Sequence, residues 1–156
     1  MPREENLTAF LKMLRYGEGT DSEDGYRVMF GGELFNSFDD HPRKFIRKRL
    51  GGKLIVSSAA GAYQFLAKTW DECRIALKLK DFSPESQDKA AAFLIKRRKA
   101  LDDVLAGRFY TAVGKCNREW ASLPGSPYGQ PTVTWQKALG LYLAAGGVCI
   151  EDKPNG

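Results

Sequence analysis

Leu7, Phe10, Leu11 and Leu14 stand at offsets of 0, 3, 4 and 7, the spacing that lays four apolar side chains along one face of an amphipathic helix. The pattern predicts a helix from about residue 4 to 17 whose apolar face must be covered by the rest of the chain. Extending the stripe by four residues lands on Glu18, held between Gly17 and Gly19. A carboxylate is thereby placed at the carboxyl end of a helix on its inward side, where a solvated residue is not needed. A glycine pair at such a point marks a helix end or the close approach of something large.

Beyond residue 20 the texture changes. Glycine, aspartate and short apolar runs replace the helical period up to about residue 58, and "GYRVMFGGELFNSF" reads as two short strands joined at Gly31-Gly32. The rest is helical. "YQFLAKTWDECRIALKL" sets Phe65 or Leu66, Trp70, Cys73 and Leu77 at steps of three and four. Ser83, Pro84 and Glu85 supply an N-cap, a first helical residue and an acidic first turn. Further helices are expected near 99–106, 108–121 and 134–145, the last stopping at Gly146-Gly147. The chain of 156 residues is therefore expected to form a single α+β domain, 1–156. It is mainly helical, with a small β lobe at about 20–58 and a ligand cleft between the lobes.

Several function classes are disfavoured. No apolar run reaches the ~20 residues of a membrane span, and "MPREENLTAFLK" lacks the uninterrupted apolar core of a secretory leader; synthesis in the cytoplasm without stable membrane insertion is expected. Cys73, Cys116 and Cys149 are odd in number and contain no C-x-x-C pair, so they read as buried thiols rather than a disulfide framework or a zinc cluster. His41 is the only histidine; its neighbour Pro42 and the surrounding charges favour a surface loop, and a Ser-His-Asp triad would have to be built on it. The net charge of +5 favours a polyanionic partner. Its dense clusters are Arg43, Lys44, Arg47, Lys48 and Arg49 with Lys53, and Lys96 to Lys99. No helix-turn-helix, zinc-finger or RNP-like pattern accompanies them, so nucleic acid is not expected; a solvated face or an anionic cell envelope accounts for them as well.

The chemistry converges on Glu18. A helix carboxyl end disfavours negative charge by ~0.3–1 kcal/mol, less than about one pKa unit, whereas burial displaces a carboxyl by several units. Burial is thus the expected cause of a raised pKa, and a glutamate kept protonated near neutrality is a general acid of the kind glycosidic cleavage requires. Gly17 and Gly19 would leave room for a sugar chain; the competing reading is a helix-end glutamate bonded to backbone or an arginine. A second carboxylate for hydrolysis could come from Asp21, Glu23, Asp24, Glu33, Asp39 or Asp40, none singled out by its surroundings. Alternatively one carboxyl works twice, giving a proton to the leaving oxygen and then taking one from a substrate hydroxyl. "SSAAGAYQF" presents Tyr63 and Gln64 after small residues, and "WASLPGSPYGQP" presents Tyr128 and Gln130 in a constrained loop; both supply groups that bind sugar hydroxyls and N-acetyl groups.

"EGTD", "GGELF", "DHPRK", "GAYQ", "LKDFSP" followed by "SQD", and "WASLPG" with "YGQ" occur in this order across residues 7 to about 147. Together they resemble the endolysins of bacteriophage lambda and its relatives, lysozyme-like lytic transglycosylases. That resemblance implies a lysozyme-like fold and cleavage of the β-1,4 bond between N-acetylmuramic acid and N-acetylglucosamine in peptidoglycan, leaving a 1,6-anhydro sugar, with no metal or organic cofactor. Glu18 matches the family's catalytic glutamate, Tyr63 and Gln64 its cleft-lining motif, and Tyr128 its cleft tyrosine. A monomer is expected, held in the host cytoplasm until a holin-type protein permeabilises the membrane and then acting in the periplasm. The alternatives are a hydrolysing lysozyme with a second carboxylate, or a peptidoglycan- or nucleic-acid-binding module without chemistry.

Overall fold

The computed structural model describes residues 3–154. Its elements run α1 (Arg3–Gly17), a 3-10 turn (Gly25–Arg27), β1 (Ile46–Leu50), β2 (Lys53–Ser57), α2 (Ala67–Leu77), α3 (Pro84–Arg97), α4 (Leu101–Ala106), α5 (Phe109–Cys116) and α6 (Trp135–Ala144). The class is α+β, with a two-stranded antiparallel sheet. The chain forms two compact units: one holds α1 through Glu18 together with everything from Ala91 onward, the other spans Gly19–Ala90.

In the first unit, α1 buries the face its spacing predicts. Phe10 and Leu14 are fully buried, flanked by Ala9 and Met13, and α1 packs on α4 and α6. Phe109 of α5 meets Phe10 edge-on at 6.2 Å between ring centroids and Tyr142 of α6 at 4.7 Å. Each such side chain removed from water contributes ~1.5–3 kcal/mol. Asn6 is also buried, and its amide is satisfied at both ends: Nδ2 donates to the Leu105 carbonyl at 3.2 Å and Oδ1 accepts from Val148 N at 3.0 Å.

The second unit has its own aromatic core. Trp70 of α2 lies 4.6 Å from Phe82, edge to face, with Phe65 and Phe35 around them. Trp70 and Cys73 are buried as their spacing predicts, while Leu77 at the helix end is 37% exposed. Helix α3 starts as its sequence requires: Ser83 Oγ accepts from Ser86 N at 3.2 Å and Pro84 is the first helical residue. Thr134 caps α6 in the same way, accepting from Lys137 N at 3.1 Å.

The strands lie elsewhere than expected. "GYRVMFGGELFNSF" holds no ladder; Val28 and Leu34 make a single antiparallel bridge across the Gly31-Gly32 turn. The sheet is the hairpin β1–β2, in which Arg47 pairs with Val56 and Arg49 with Leu54. Its turn is Gly51-Gly52, both at positive φ, 57° and 79°, as a two-residue hairpin loop demands. Arg47, Lys48, Arg49, Leu50, Lys53, Leu54 and Val56 are all exposed. A hairpin with so little buried on either face gives no alternation of apolar and polar residues to detect.

Candidate active site

Glu18 closes the last turn of α1. Its backbone N–H donates to the Leu14 carbonyl at 2.9 Å, so the side chain continues the buried stripe and ends half-buried. Ser122 Oγ donates to Glu18 Oε2 at 2.5 Å. Burial pushes the carboxyl above its ordinary value of 4.5, and the bond from Ser122 pulls the other way without overcoming it. Among the described residues Glu18 makes no ion pair. The alternative of a glutamate held by backbone or arginine is therefore not what the side chain does.

The two glycines serve separate ends. A Cβ on Gly17 would stand 2.6 Å from Ser122 Oγ and 3.2 Å from Ser122 Cβ. The close approach inferred from this glycine is that of Ser122, not of a sugar. Gly19 has open space where a Cβ would go but a φ of +76°, a conformation glycine adopts without penalty. It turns the chain out of the helix.

Ser122 is itself held firmly. Its carbonyl accepts from Val133 N at 2.7 Å, its neighbours Trp120 and Leu123 are buried, and Asn117 Nδ2 donates to the Pro124 carbonyl at 3.3 Å. The block "WASLPG" was legible as a constrained loop; that its serine reaches Glu18 was not. The only available signal was Gly17, a glycine demanding a close neighbour.

The other carboxylates differ. Asp21, Glu23, Asp24, Glu33, Asp39 and Asp40 are all exposed, and Asp24 and Asp40 pair with Arg27 at 3.5 Å and Arg43 at 2.8 Å. His41 departs from expectation. It is buried rather than on a surface loop, 2% exposed, because its ring packs on Phe82 at 5.1 Å and both nitrogens meet backbone. Nδ1 accepts from Arg43 N at 2.9 Å, which leaves Nε2–H to donate to the Phe65 carbonyl at 2.8 Å. No lone pair remains for a triad. Of the three cysteines, Cys73 and Cys116 are buried, and burial drives the Cys116 thiol up to about 12; Cys149, expected to be buried, is half-exposed and donates to the Glu151 carbonyl at 3.3 Å.

Tyr63 is 2% exposed, and its hydroxyl donates to Asp88 Oδ1 at 2.6 Å, alongside that of Tyr26 at 2.8 Å. Burial, reinforced by the Asp88 charge, pushes its phenol far above the usual range. Its polar end is engaged inside the protein. Gln64, with φ at +49°, donates through Nε2 to the carbonyls of Gly61 at 2.9 Å and Val28 at 3.0 Å. Two carbonyl partners fix which end of the amide is nitrogen, leaving Oε1 as an acceptor aimed elsewhere. The segment is buttressed by Gln87, fully buried, whose Oε1 accepts from Ala62 N at 2.8 Å, and by Thr20, whose hydroxyl donates to the Ala62 carbonyl at 2.5 Å. Thr20 and Gln87 sit in the "EGTD" and "SQD" blocks, so these blocks carry scaffolding. Tyr128 is 53% exposed, and its hydroxyl donates to the Arg118 carbonyl at 2.6 Å.

A concavity of about 570 Å³ along α6 is lined by Thr134, Gln136, Lys137, Gly140, Leu141 and Ala144. It holds no carboxylate. Among the described residues no group of three or more His, Cys, Asp or Glu side chains could hold a metal ion.

Comparison with known proteins identifies the family and the fold. The Endolysin family model matches residues 8–149. The endolysin of Escherichia phage lambda is 44% identical over 92% of both chains, and that of Escherichia phage P2 is 42% identical over 92% of this chain and 94% of its own. The bacteriophage lambda lysozyme complexed with a chitohexasaccharide superposes with a TM-score of 0.86 at 41% identity, covering 93% of this chain and 96% of that one. A second structure of the lambda lysozyme gives 0.80 at 42% identity over the same shares. The fold is lysozyme-like, and the chain belongs to the endolysin family.

Proposed function

We propose that this endolysin is a peptidoglycan lytic transglycosylase in which Glu18 acts twice. As a carboxylic acid it protonates the oxygen linking N-acetylmuramic acid to N-acetylglucosamine while the bond from the muramoyl anomeric carbon to that oxygen breaks. As a carboxylate it then accepts the proton of the muramoyl 6-hydroxyl, whose oxygen bonds to the anomeric carbon. The products are a free 4-hydroxyl and a 1,6-anhydro end; no water is consumed and Glu18 regains its proton.

One observation carries this reading: a half-buried carboxyl, raised by burial and bound by a single neutral hydroxyl, in a chain whose other candidate carboxylates are exposed. A chitohexasaccharide, a β-1,4 glycan, is what the related lambda lysozyme holds, which supports a glycan strand as substrate. Gln64 offers Oε1 to an amide or hydroxyl of the glycan and Tyr128 offers its exposed ring to a sugar face. Tyr63 serves by anchoring the segment that carries Gln64, since its own hydroxyl is bound to Asp88. The enzyme works as a monomer without a cofactor. No described helix is long and apolar enough to cross a membrane. From its membership of the endolysin family we infer that it waits in the host cytoplasm and reaches the periplasmic murein when a holin-type protein opens the membrane.

Glu18→Gln is expected to lower lysis of outer-membrane-permeabilised cells by at least ~10²-fold, the lower end of what a general acid supplies. Near-full activity in a folded variant overturns the assignment. Mass analysis of the released muropeptides decides the reaction: anhydro ends lighter by one water support transglycosylation, and reducing ends would mean hydrolysis with a second carboxylate.

A further inference from the structure

We infer that Ser122 is the positioning residue of the acid, its hydroxyl holding Glu18 Oε2 as an acceptor so that Oε1 is the oxygen that carries and delivers the proton, and that Gly17 is glycine to admit it. This inference rests on Glu18 being the general acid. A neutral carboxyl has one proton and two oxygens, and unless something distinguishes them the proton is on the wrong one for part of the time. Ser122 Oγ–H donates to Oε2 at 2.5 Å, which removes the reason for a proton to sit there. The donor is precisely located because its loop is fixed by the bond from Val133 N to the Ser122 carbonyl and by buried Trp120 and Leu123 on either side.

The same bond changes strength through the reaction. To a neutral acid it is an ordinary hydrogen bond; to the carboxylate left after proton delivery it becomes charge-assisted and stronger. Ser122 thus stabilises the form of Glu18 that must persist until the 6-hydroxyl gives up its proton, and it keeps burial from making the acid too weak to part with its own. Among the described residues Glu18 has neither an ion pair nor a second side-chain hydrogen bond to take over this task; the acidic residues that follow it, Asp21, Glu23 and Asp24, are exposed.

Gly17 supplies independent support. Its backbone is not in the left-handed region, so no turn requires a glycine there, yet a Cβ would stand 2.6 Å from Ser122 Oγ. The helix lacks a side chain at the point where the hydroxyl passes.

The test follows the Glu18 carboxyl carbon by NMR across pH in the full chain, in parallel with the pH profile of kcat/KM on purified peptidoglycan. In Ser122→Ala, Glu18 should become an acid about tenfold weaker, since the charged form loses its donor, and the alkaline limb of the activity profile should move upward to match. Gly17→Ala, which displaces the hydroxyl without removing it, should shift both in the same direction, and the double variant should shift them no further than Ser122→Ala alone. A merely structural serine would lower the melting temperature and leave the Glu18 titration where it was; that result overturns the inference. Should Ser122→Ala fail to fold, Gly17→Ala decides by the same readouts. If Glu18→Gln proves active, the catalytic assignment fails, while the carboxyl titration still shows whether Ser122 governs Glu18.

Discussion

Glu18 at the end of α1 and His41 in the loop before β1 are both titratable groups withdrawn from water, and burial drives both toward neutrality, raising the one and lowering the other. Their remaining bonding capacity differs. His41 has each ring nitrogen engaged by backbone, Nδ1 by Arg43 N and Nε2 by the Phe65 carbonyl, so it can neither take a proton nor give one without breaking the structure. Glu18 has one oxygen bound by Ser122, and among the described residues the other has no hydrogen-bond or ion-pair partner. A displaced pKa marks a candidate, and an uncommitted polar atom separates chemistry from architecture.

The comparison breaks first, and by the largest amount, at His41. His41→Ala leaves the buried Phe65 carbonyl and the part-buried Arg43 N–H without their His41 partner, at ~1–3 kcal/mol for a buried group and less for a part-buried one, so a loss of about 2–3 kcal/mol in urea unfolding is expected with kcat of the folded fraction unchanged. A fall in kcat at full folding would show that the imidazole does more than tie the loop to Phe65. The pH dependence has a definite sign. Because the folded state holds His41 below its ordinary value of 6.5, the unfolded chain binds the extra proton, and the contribution present above pH 6.5 is lost as pH falls through and below it. The variant should lack that component of acid destabilisation.

A smaller effect of opposite sign is expected at Glu18. Its folded pKa lies above the ordinary 4.5, so its contribution is complete below pH 4.5 and is lost as pH rises through the folded value, where a charge must be held in a half-buried place. Glu18→Gln, which keeps an acceptor for Ser122, should match the parent at pH 4 and become the more stable of the two toward pH 8. Equal unfolding midpoints across that range would mean that the carboxyl ionises as freely as in the unfolded chain.

How far these features were legible depended on the range of the interactions behind them. The α1 stripe and the inward placement of Glu18 follow from spacing within one helix, and Ser83 and Pro84 announce α3 through contacts three residues apart. The bond that defines the candidate site joins residues 104 positions apart, and nothing near Ser122 points to Glu18. His41 was misplaced for the same reason: its neighbours Pro42 and Arg43 read as surface, whereas Phe65 and Phe82, brought against it by the fold, bury it. The hairpin was missed for a different reason. Its strands are exposed on most of both faces, so burial leaves no mark on the sequence, while "GGELF", with a better strand composition, forms only an isolated bridge because the facing Val28 carbonyl and Phe30 N–H are taken by Gly61 N and the Ala59 carbonyl.

The smallest expected effect sharpens what holds His41 in place. Arg43 presents two things at once, a backbone N–H to His41 Nδ1 and a guanidinium that donates to Asp40 at 2.8 Å and to Asp71 at 2.6 Å. These bonds pull the Asp71 carboxyl down to about 2, yet both acids are more than a third exposed, so screening by solvent reduces the pairs to ~0.5–1 kcal/mol together. Arg43→Ala removes the guanidinium and keeps the N–H. It should therefore cost that modest amount at pH 7 and leave the Nε2–H tautomer of His41 in place, while the His41 pKa moves up as the nearby positive charge that helps lower it is removed. Since the Asp71 pKa is depressed, its share is present above the ordinary 3.8 and is lost as pH falls toward about 2, so parent and variant should converge in acid and differ less in high salt. If instead His41 loses its Nε2–H tautomer in Arg43→Ala, the lock lies in the ion-pair network rather than in the backbone, and the contrast with Glu18 would be one of charge placement instead of bonding capacity.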